Sequence, residues 1–513
     1  MKISTQKILY ISASFIAGFS VMVVELISSR IVAPIIGSSV FTWTSVIGIT
    51  LLGLSIGSWI GGKIADKDEK GSSLPLAFLI SSILVFIITI LVKDTDFITN
   101  SSGSILKLNL FISVYLFLLP AISIGTIQPI ILKKFANDFS KIGSEYGALS
   151  ATWSLGSILG VFSTGFFFIS TIGSTETICL VSIILFVTGL ILTKGDKKGV
   201  KFFLITVIIL ALYALIPSHN INSKTSLIFQ KETNYYNARI TDSYLPSFGK
   251  SRILFLDFDS HSVEPTEKNQ YFYPEMYPVF SNIKKDIKDI LVIGAGAYTM
   301  PKYFKDYYKS SNVSVIEMDP EMEKIGKDYF GLDKYDINTT VGDARVRLSK
   351  STIKYDLIFG DAYNSFISVP WYLLTDEWTS KVKESLNDNG IYAVNFIGSI
   401  IGDGSDFTKS VLGTFKKTFP NFYMFSFGQT PGSIQNIVLV GIKGNLPLNE
   451  QDLYRKILNS KDSFLAGRMV PTKFFENSTS TILTDNFSPV EKLMSPIMEN
   501  YFPKNESFIK NFF

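Results

Sequence analysis

The sequence predicts an α-helical transmembrane bundle of about seven helices, followed by an α/β domain with a doubly wound sheet and a small β-rich region at its start. Three observations support this fold class. The first 217 residues contain apolar stretches that are each near the ~20 residues a helix needs to cross a bilayer. Beyond residue 286, short apolar strands alternate with helical segments, and one strand runs directly into a glycine-rich turn. The predicted boundaries are 1–217 for the bundle, 218–285 for the β-rich region and 286–513 for the α/β domain.

The composition excludes several classes of protein. Hydrophobic residues make up 47% of the 513 residues and charged residues only 18%, which is typical of a chain that lies partly in a membrane. A net charge of +4 gives no support to nucleic-acid binding. The single cysteine, Cys179, cannot form an intrachain disulfide, and because the only histidines are His219 and His261 we expect no metal site.

Seven apolar stretches of the first domain are candidate transmembrane helices. The first leads directly into further spans, so it is not a cleavable signal peptide. Small residues one turn apart, as in Gly53–Gly57 and Gly156–Gly160, allow helices to approach closely in lipid, and we prefer this packing role to a pore. The predicted spans are 9–28, 40–60, 74–92, 108–132, 152–170, 175–193 and 200–217.

Two charged residues stand at the end of the first span. Placing an ionisable group inside or at the edge of a bilayer costs free energy. An ion pair between Glu25 and Arg30, or between either one and a residue of another helix, would reduce that free-energy cost. A structural ion pair and a role in substrate binding are both open for these two residues. Gln128-Pro129 in a later span is a weaker indication, because proline can simply kink a helix.

The loops between the spans predict the orientation of an integral, multi-pass protein of the cell membrane. Twelve lysines lie in residues 2–7, 63–70, 133–141 and 194–201, which share one side, whereas the other side holds only Arg30, Lys93 and Lys107. Positive residues favour the cytoplasmic side, so the N-terminus is predicted to be cytoplasmic. Seven crossings would then put the α/β domain outside, in conflict with a cytosolic cofactor, and the sequence leaves this conflict open.

The second half of the chain alternates strands and helices. Strands are predicted at Arg252–Asp257, Asp289–Ile293, Val313–Glu317, Tyr355–Gly360 and Gly390–Phe396, with helices up to Tyr308 and from Pro320. This alternation predicts a mostly parallel, Rossmann-like sheet, which binds ligands at the carboxyl ends of its strands.

Several residues fall at these strand ends and suit a nucleoside. Gly294 and Gly296 let the backbone approach a ligand at a helix N-terminus, and Glu317 can accept hydrogen bonds from both ribose hydroxyls. Asp343 can accept a hydrogen bond from the amino group of adenine. The third glycine of a dinucleotide-binding loop would fall at Thr299, so the order favours an S-adenosylmethionine-type cofactor over a dinucleotide.

At these motifs the chain resembles the polyamine aminopropyltransferases, the spermidine synthase family, in a form fused to an N-terminal multispan domain. The resemblance covers residues 231–396 of the catalytic half and extends to the membrane half. It implies a Rossmann-like domain of the class I methyltransferase type. The motifs are Glu232–Asn237, Tyr271–Met276, the glycine loop, Ile316–Asp319, Gly342–Ala344, Tyr355–Asp361 and Leu483–Glu491, and, in the membrane half, Glu25–Arg30, Pro34–Gly37, Trp43 and Gly57–Asp66.

The resemblance implies roles for individual residues. Glu317 would hold the ribose, Asp343 and Ala344 the adenine, and Asn237 the sulfur side of the nucleoside. Asp361 would be the general base that deprotonates the attacking amine. The implied partners are decarboxylated S-adenosylmethionine or S-adenosylmethionine, a small amine acceptor, the lipid bilayer and further copies of the chain, without nucleic acid or metal. Candidate acceptor-binding residues are Tyr273, Glu275, Tyr363 and Asn364.

The chain departs from the family where the soluble synthases hold a diamine. A histidine before the Glu-Met pair, an acid in the glycine loop and an acid three residues after the base are replaced by Pro274, Ala297 and Asn364. The partners of the second ammonium group are therefore missing, so putrescine is expected to be a poor substrate.

Three functions remain open at the sequence level. The first is a membrane-bound aminopropyltransferase that transfers an aminopropyl group to an amine. The second is a methyltransferase that uses intact S-adenosylmethionine on a membrane-associated acceptor. The third is a transporter or sensor of a polyamine or adenosyl compound, against which the presence of Asp361 at the reactive position argues.

Overall fold

The computed structural model describes residues 5–68, 71–92, 105–136, 141–193, 225–245, 249–257, 259–265, 276–362, 369–445, 447–475 and 480–501. The chain forms two compact units. A helical unit contains Met1–Ile221 together with Glu232–Asn237, and a catalytic unit contains Asn222–Lys231 together with Ala238–Phe513.

Six helices of the helical unit are long and apolar enough to cross a membrane, within the part of the chain that the structure describes. They coincide with the first six predicted spans, while the seventh, 200–217, lies outside the described residues. Two of them, α4 and α5, each contain a five-residue π-helical turn, Val114–Leu118 and Thr164–Phe168. The helices are α1 Thr5–Ile36, α2 Val40–Lys67, α3 Ser73–Leu91, α4 Leu106–Phe135, α5 Ile142–Thr171 and α6 Ser174–Leu192.

Of the arrangements expected for Glu25 and Arg30, the structure does not show a pair between the two residues. The Arg30 guanidinium lies 3.5 Å from Glu232 and donates to the backbone carbonyl groups of residues 233–235, all within the helical unit. Residues five apart on a helix are about 140° apart around its axis and face different neighbours. Glu25 forms no ion pair with any described residue.

The predicted β-rich region contains a four-stranded sheet in the order β1-β2-β3-β4. The pairs β2–β3 and β3–β4 are antiparallel, and the register of the second pair shifts between Leu254 and Phe255. The strands are β1 Thr225–Glu232, β2 Asn237–Leu245, β3 Gly249–Leu256 and β4 Asp259–Pro265.

The main sheet has seven strands in the order β10-β11-β9-β8-β5-β6-β7. Five of them, from β9 to β7, are parallel, and β11 is antiparallel to both of its neighbours. This is the predicted Rossmann-like architecture of the methyltransferase type. The strands are β5 Asp289–Ile293, β6 Asn312–Glu317, β7 Ile337–Val341, β8 Tyr355–Gly360, β9 Leu386–Gly398, β10 Phe422–Ser426 and β11 Gln435–Ile442.

Burial explains why the central strands form where they do. All six residues of β8 are buried, as a continuous apolar run requires when helices cover both faces of a parallel sheet. Side chains of Phe304, Phe359 and Trp378 are fully buried around it. The helices are α7 Val279–Ile283, α8 Thr299–Tyr307, α9 Pro320–Phe330, α10 Ala344–Lys350, α11 Asp376–Glu384, α12 Ser405–Thr418, α13 Glu450–Leu458 and α14 Val490–Tyr501.

Candidate active site

The candidate site lies where the direction of the chain through the sheet reverses. β5 pairs with β6 on one side and with β8 on the other, so the strand connections lead away in opposite directions and a crevice opens at the carboxyl ends of these strands. Gly294 follows β5 with a φ of 83°, and a Cβ atom there would lie 2.5 Å from the carbonyl oxygen of Asp361. Only glycine fits this position, because both its conformation and its space exclude a side chain.

The turn between β5 and α8 is held by a residue that the sequence analysis did not identify. The backbone N–H of Ala297 donates to the Ser262 hydroxyl of β4 over 2.9 Å. Gly296 and Tyr298 both have positive φ angles, 51° and 63°, and the Tyr298 hydroxyl lies 3.1 Å from that of Thr339. The buried β4 serine was not recognisable, because nothing local to residues 259–265 indicates which loop it meets.

Glu317 ends β6 and points into the same edge of the sheet. Its side chain is buried, and its carboxylate accepts hydrogen bonds from the backbone N–H groups of Ala295 at 2.8 Å and Asp319 at 3.0 Å. These two bonds use two of the about four acceptor positions of a carboxylate. Burial raises the pKa of Glu317, and the backbone donors oppose that increase.

Asp343 is the N-cap residue of α10. One of its carboxylate oxygens accepts a hydrogen bond from the backbone N–H of Val346 at 2.9 Å, which fixes the start of the helix. The second oxygen accepts no hydrogen bond from the described residues. Ala344 follows as a buried residue, so the predicted adenine-binding pair sits at a capped helix N-terminus beyond β7.

Asp361 directly follows β8, beside the glycine turn. Its backbone N–H donates to the carbonyl of Ile293, and its Oδ1 accepts a hydrogen bond from Asn395 Nδ2 at 2.9 Å. Asn395 is a buried residue of β9 that also donates to Asn436 of β11. The amide of Asn395 therefore orients the carboxylate. A polar residue in the apolar run of β9 was a visible signal for this role in the sequence.

A late segment of the chain reaches the start of α10. Arg345 Nη2 donates to both carboxylate oxygens of Asp485, at 2.8 Å to Oδ1 and 2.6 Å to Oδ2. Asp485 also accepts from the Thr375 hydroxyl at 2.8 Å, while its own backbone N–H donates to Glu377. The motif around Asp485 is visible in the sequence, but its contact is not, because its partner lies 140 residues earlier.

The structure brings together some of the predicted site residues and does not describe others. Gly294, Gly296, Glu317, Asp343 and Asp361 all lie at carboxyl ends of neighbouring strands of the main sheet. Asn237 is the first residue of β2 and belongs by its contacts to the helical unit. Four candidate acceptor-binding residues and one position that departs from the family lie outside the described residues: Tyr273, Glu275, Tyr363, Asn364 and Pro274.

Two further observations concern the surroundings of Asp361. An apolar cavity of about 10 Å³, the size of one water molecule, lies between the ends of β5, β8 and β9 and the side chain of Trp378. The methyl group of Ala297 is fully buried. Among the described residues no group of three or more histidine, cysteine, aspartate or glutamate side chains is placed to hold a metal ion.

The chain is similar in sequence to proteins named as aminopropyltransferases. It is 30% identical to a probable polyamine aminopropyl transferase of Bifidobacterium longum over 224 residues, 40% of this chain and 48% of that protein. It is 28% identical to a polyamine aminopropyltransferase of Vibrio vulnificus over 45% of this chain and 78% of that protein. It is 22% identical to polyamine aminopropyltransferase 2 of Aquifex aeolicus over 80% of this chain and 83% of that protein. The chain thus spans about half the length of the Bifidobacterium relative.

No family model matches the chain. Among solved structures, a probable spermidine synthase from Corynebacterium glutamicum superposes with a TM-score of 0.39 and 19% identity, over 52% of this chain and 97% of that one. The strand order, the glycine turn and the strand-end acids define the class of the catalytic unit, a Rossmann-like domain of the methyltransferase type. Within that class, the sequence relatives show that the chain is related to the polyamine aminopropyltransferases, as its motifs predict.

Proposed function

We propose that the chain is a membrane-bound aminopropyltransferase that moves an aminopropyl group from decarboxylated S-adenosylmethionine to an amine acceptor. The observation that supports it best is the position of Glu317, Asp343 and Asp361 at neighbouring strand ends around the Gly294 turn. The similarity to the Aquifex aeolicus aminopropyltransferase, which extends over 80% of this chain, supports the same activity for the whole protein.

The residues of the crevice fit an adenosyl group. Glu317 retains acceptor positions for two ribose hydroxyls, and the second oxygen of Asp343 suits the amino group of adenine. Because Gly294 has no side chain, the backbone at Asp361 and Ala362 packs directly against the turn, which holds Asp361 beside the proposed nucleoside position. When bound, the sulfonium supplies an activated carbon whose bond to sulfur breaks to leave a neutral thioether.

Asp361 is proposed as the general base. As the amine nitrogen bonds to the aminopropyl carbon, the electron pair of the carbon–sulfur bond passes to sulfur and the proton on nitrogen passes to the Asp361 carboxylate. Asn395 holds that carboxylate in one orientation, which is the main requirement when the leaving group is already activated. The negative charge of Asp361 also favours a cationic group beside it.

The preferred acceptor is proposed to be an amine other than putrescine. Ala297 and Asn364 replace two acids of the soluble synthases, so a second ammonium group has fewer partners. Ala297 is also fully buried, so an acid placed there would be desolvated and would have to displace its neighbours. Substitution at this single position is therefore not a simple route to a diamine-specific enzyme.

The test is a transfer assay with the purified full-length protein. Decarboxylated or intact S-adenosylmethionine is supplied with putrescine, spermidine and a panel of monoamines, and the products are identified by mass spectrometry. We expect an aminopropylated amine only with the decarboxylated compound, and less of it with putrescine than with the best acceptor. A methylated product from intact S-adenosylmethionine would instead establish the methyltransferase alternative, and no product from either compound would overturn the proposal.

A further inference from the structure

The helical unit contains an internal repeat with a spacing of 103 residues. Gly57 of α2 packs against the carbonyl oxygen of Ile122 in α4, and Gly160 of α5 packs against the carbonyl oxygen of Phe19 in α1. Gly160 lies 103 positions after Gly57, and Ile122 lies 103 positions after Phe19. The two contacts are therefore equivalent. Both join the two halves of the unit, and each half supplies the glycine in one of them.

A second pair of contacts repeats with the same spacing. Gly53 packs against the carbonyl oxygen of Leu118, and Gly156 packs against that of Phe15. Again each residue of one pair is 103 positions from its counterpart in the other. A methyl group would overlap the neighbouring backbone at Gly57, Gly156 and Gly160, and at Gly53 it would overlap the methyl group of Ala121 and crowd the Leu118 carbonyl, so each glycine allows the close approach. Helices α1–α3 thus correspond to α4–α6.

The two halves have opposite orientations with respect to a membrane. Helices α1 and α5 are parallel. Near the start of both helices Lys7 pairs with Glu145, and further along both Ser157 donates a hydrogen bond to the Gly18 carbonyl. Each half contains three spans, and an odd number of crossings inverts the half that follows. Inverted repeats of this kind form carriers whose two halves open a central site to either side in turn.

The repeat relates Glu25 of α1 to Gln128 of α4, which is 103 positions later. A carboxylate in one half thus corresponds to a neutral amide in the other. The Oε2 atom of Glu25 is buried without a hydrogen-bond partner, and Glu25 forms no ion pair with a described residue. Glu25 is half-buried, and its buried, unbonded oxygen is costly in an apolar bundle, which favours a proton or a cation from outside the protein.

The spacing of residues along α1 places Glu25 on the side of the helix that faces α5. Gly18 and Ser14 of α1 both contact α5. Glu25 lies seven residues after the first and eleven after the second. At 100° per residue, these spacings place Glu25 within about 20° of both residues around the helix axis. Six residues beyond the Phe19–Gly160 contact, α1 reaches Glu25 and α5 reaches Phe166. Phe166 lies within the π-helical turn Thr164–Phe168, and such turns often occur at functional sites.

We propose that the helical unit binds an organic ammonium ion at Glu25 and carries it across the bilayer by alternation of its two inverted halves. One carboxylate neutralises one ammonium group and accepts its hydrogen bonds, whereas calcium or magnesium requires six or more oxygen ligands. The described residues contain no group of three acids, histidines or cysteines that could supply such a ligand set. This activity does not require the transfer reaction, although an amine is also the proposed acceptor.

Amine flux tests the proposal directly. The full-length protein is reconstituted into liposomes without any adenosyl compound, and uptake of radiolabelled spermidine and putrescine is compared with that of protein-free liposomes. We expect uptake by the wild type and a loss of about tenfold or more in Glu25→Gln, the effect of removing one charge-assisted hydrogen bond. The matched control is Glu145→Gln, which removes a carboxylate that already has a partner in Lys7 and should retain uptake.

A second measurement avoids dependence on the folding of a variant. A hydrophobic carbodiimide reacts with carboxyl groups in apolar surroundings, and peptide mass spectrometry locates the modified residue in the wild-type protein. We expect modification of Glu25 and its suppression by spermidine. Absence of amine uptake by the wild type, equal uptake by Glu25→Gln, or modification of Glu25 that spermidine leaves unchanged would each overturn the proposal. None of these results depends on the transfer assay, so the two proposals fail separately.

Discussion

Glu317 combines two roles that use the same carboxylate. Through the N–H groups of Ala295 and Asp319 it fixes the turns after β5 and β6, and its remaining acceptor positions are proposed to hold the ribose. Because burial raises the pKa of Glu317, protonation begins at a higher pH than for an exposed glutamate. Affinity for an adenosyl compound should therefore weaken as the pH is lowered toward that range.

Removal of this charge provides the first prediction. Glu317→Gln should weaken binding of decarboxylated S-adenosylmethionine by about 1.5–3 kcal/mol, the usual scale for a hydrogen bond to a charged group. Isothermal titration calorimetry measures the change. Glu323→Gln on α9, which removes an exposed carboxylate paired with Lys327, serves as the control and should leave affinity unchanged. Equal affinity of the Glu317 variant and the wild type would remove Glu317 from the nucleoside site.

The second prediction separates chemistry from binding at Asp361. Asp361→Asn keeps the size of the side chain and can still contact Asn395, but it cannot accept a proton. Turnover should fall by about 10²–10⁴-fold, the contribution typical of a general base, while affinity for the adenosyl compound stays near that of the wild type. Rapid-quench assays and calorimetry measure the two quantities. Turnover within about threefold of the wild type would mean that Asp361 is structural.

At the scale of elements, β8 carries a carboxylate near each end with opposite functions. Asp361 follows the carboxyl end at the site. Asp356 lies near the amino end, where Lys284 binds it at 2.7 Å and where it accepts from the backbone N–H of Lys288 and from Asn387. Burial raises the pKa of Asp356, but these hydrogen bonds outweigh burial and lower it to about 2. Asp356 therefore joins β8 to its neighbours without reaching the crevice.

The third prediction follows from this arrangement. A depressed pKa contributes stability that is present above the ordinary pKa of 3.8 and is lost as the pH falls toward about 2. After a discount for screening by solvent, the shift corresponds to about 1–2 kcal/mol. Asp356→Asn should lower the melting temperature at pH 7, and the difference from the wild type should shrink near pH 3. Calorimetry should find unchanged affinity for the adenosyl compound, and a difference in melting temperature that is constant with pH would contradict the assignment.

The fourth prediction concerns the contact of the late segment with α10. Arg345→Met and Asp485→Asn should each weaken binding of the adenosyl compound about twofold to tenfold, because the partly exposed ion pair positions the helix that Asp343 caps. The double variant should be no weaker than either single one, as expected for two members of one contact. Lys350→Met on the same helix is the control. Additive losses in the double variant would show that the two residues act independently.

The sequence defined elements well where a local pattern determined them. The strands Asp289–Ile293 and Tyr355–Gly360 have the predicted bounds, because each is mostly apolar and is followed directly by glycine or aspartate. Contacts between distant segments could not be predicted in this way. The hydrogen bond from Asn395 to Asp361 and the contact of Ser262 with the glycine turn depend on strand pairing. Proximity in sequence suggests Glu25 as one partner for Arg30, whereas the partner in the structure, Glu232, is more than 200 residues away.

At the scale of the whole molecule, we infer from the internal repeat that the helical unit has a role beyond anchoring. A single helix is enough to attach a catalytic domain to a bilayer. Two inverted sets of three helices, with glycine contacts repeated at the same spacing, require many more constrained positions than attachment does. The proposed binding of an ammonium ion at Glu25 accounts for this construction and for a carboxylate whose Oε2 atom has no hydrogen-bond partner among the described residues.

The fifth prediction concerns the side of the membrane on which the catalytic unit works. Twelve lysines in the loops on the N-terminal side, against three basic residues on the other, favour a cytoplasmic N-terminus. The proposed adenosyl compound is a cytosolic metabolite, so we expect the catalytic unit on the same side. The chain then crosses the membrane an even number of times, as the six described helices alone would do.

Reporter fusions in intact cells test this orientation. Green fluorescent protein, which fluoresces in the cytoplasm, should be fluorescent at either end of the chain, and alkaline phosphatase, which is active only outside, should be inactive there. Alkaline phosphatase inserted after Val92, between α3 and α4, should be active and provides the control for the opposite side. Active phosphatase at the C-terminus would mean an odd number of crossings. The catalytic unit would then need an external supply of its adenosyl compound, and the proposed cofactor would have to be tested again on that side.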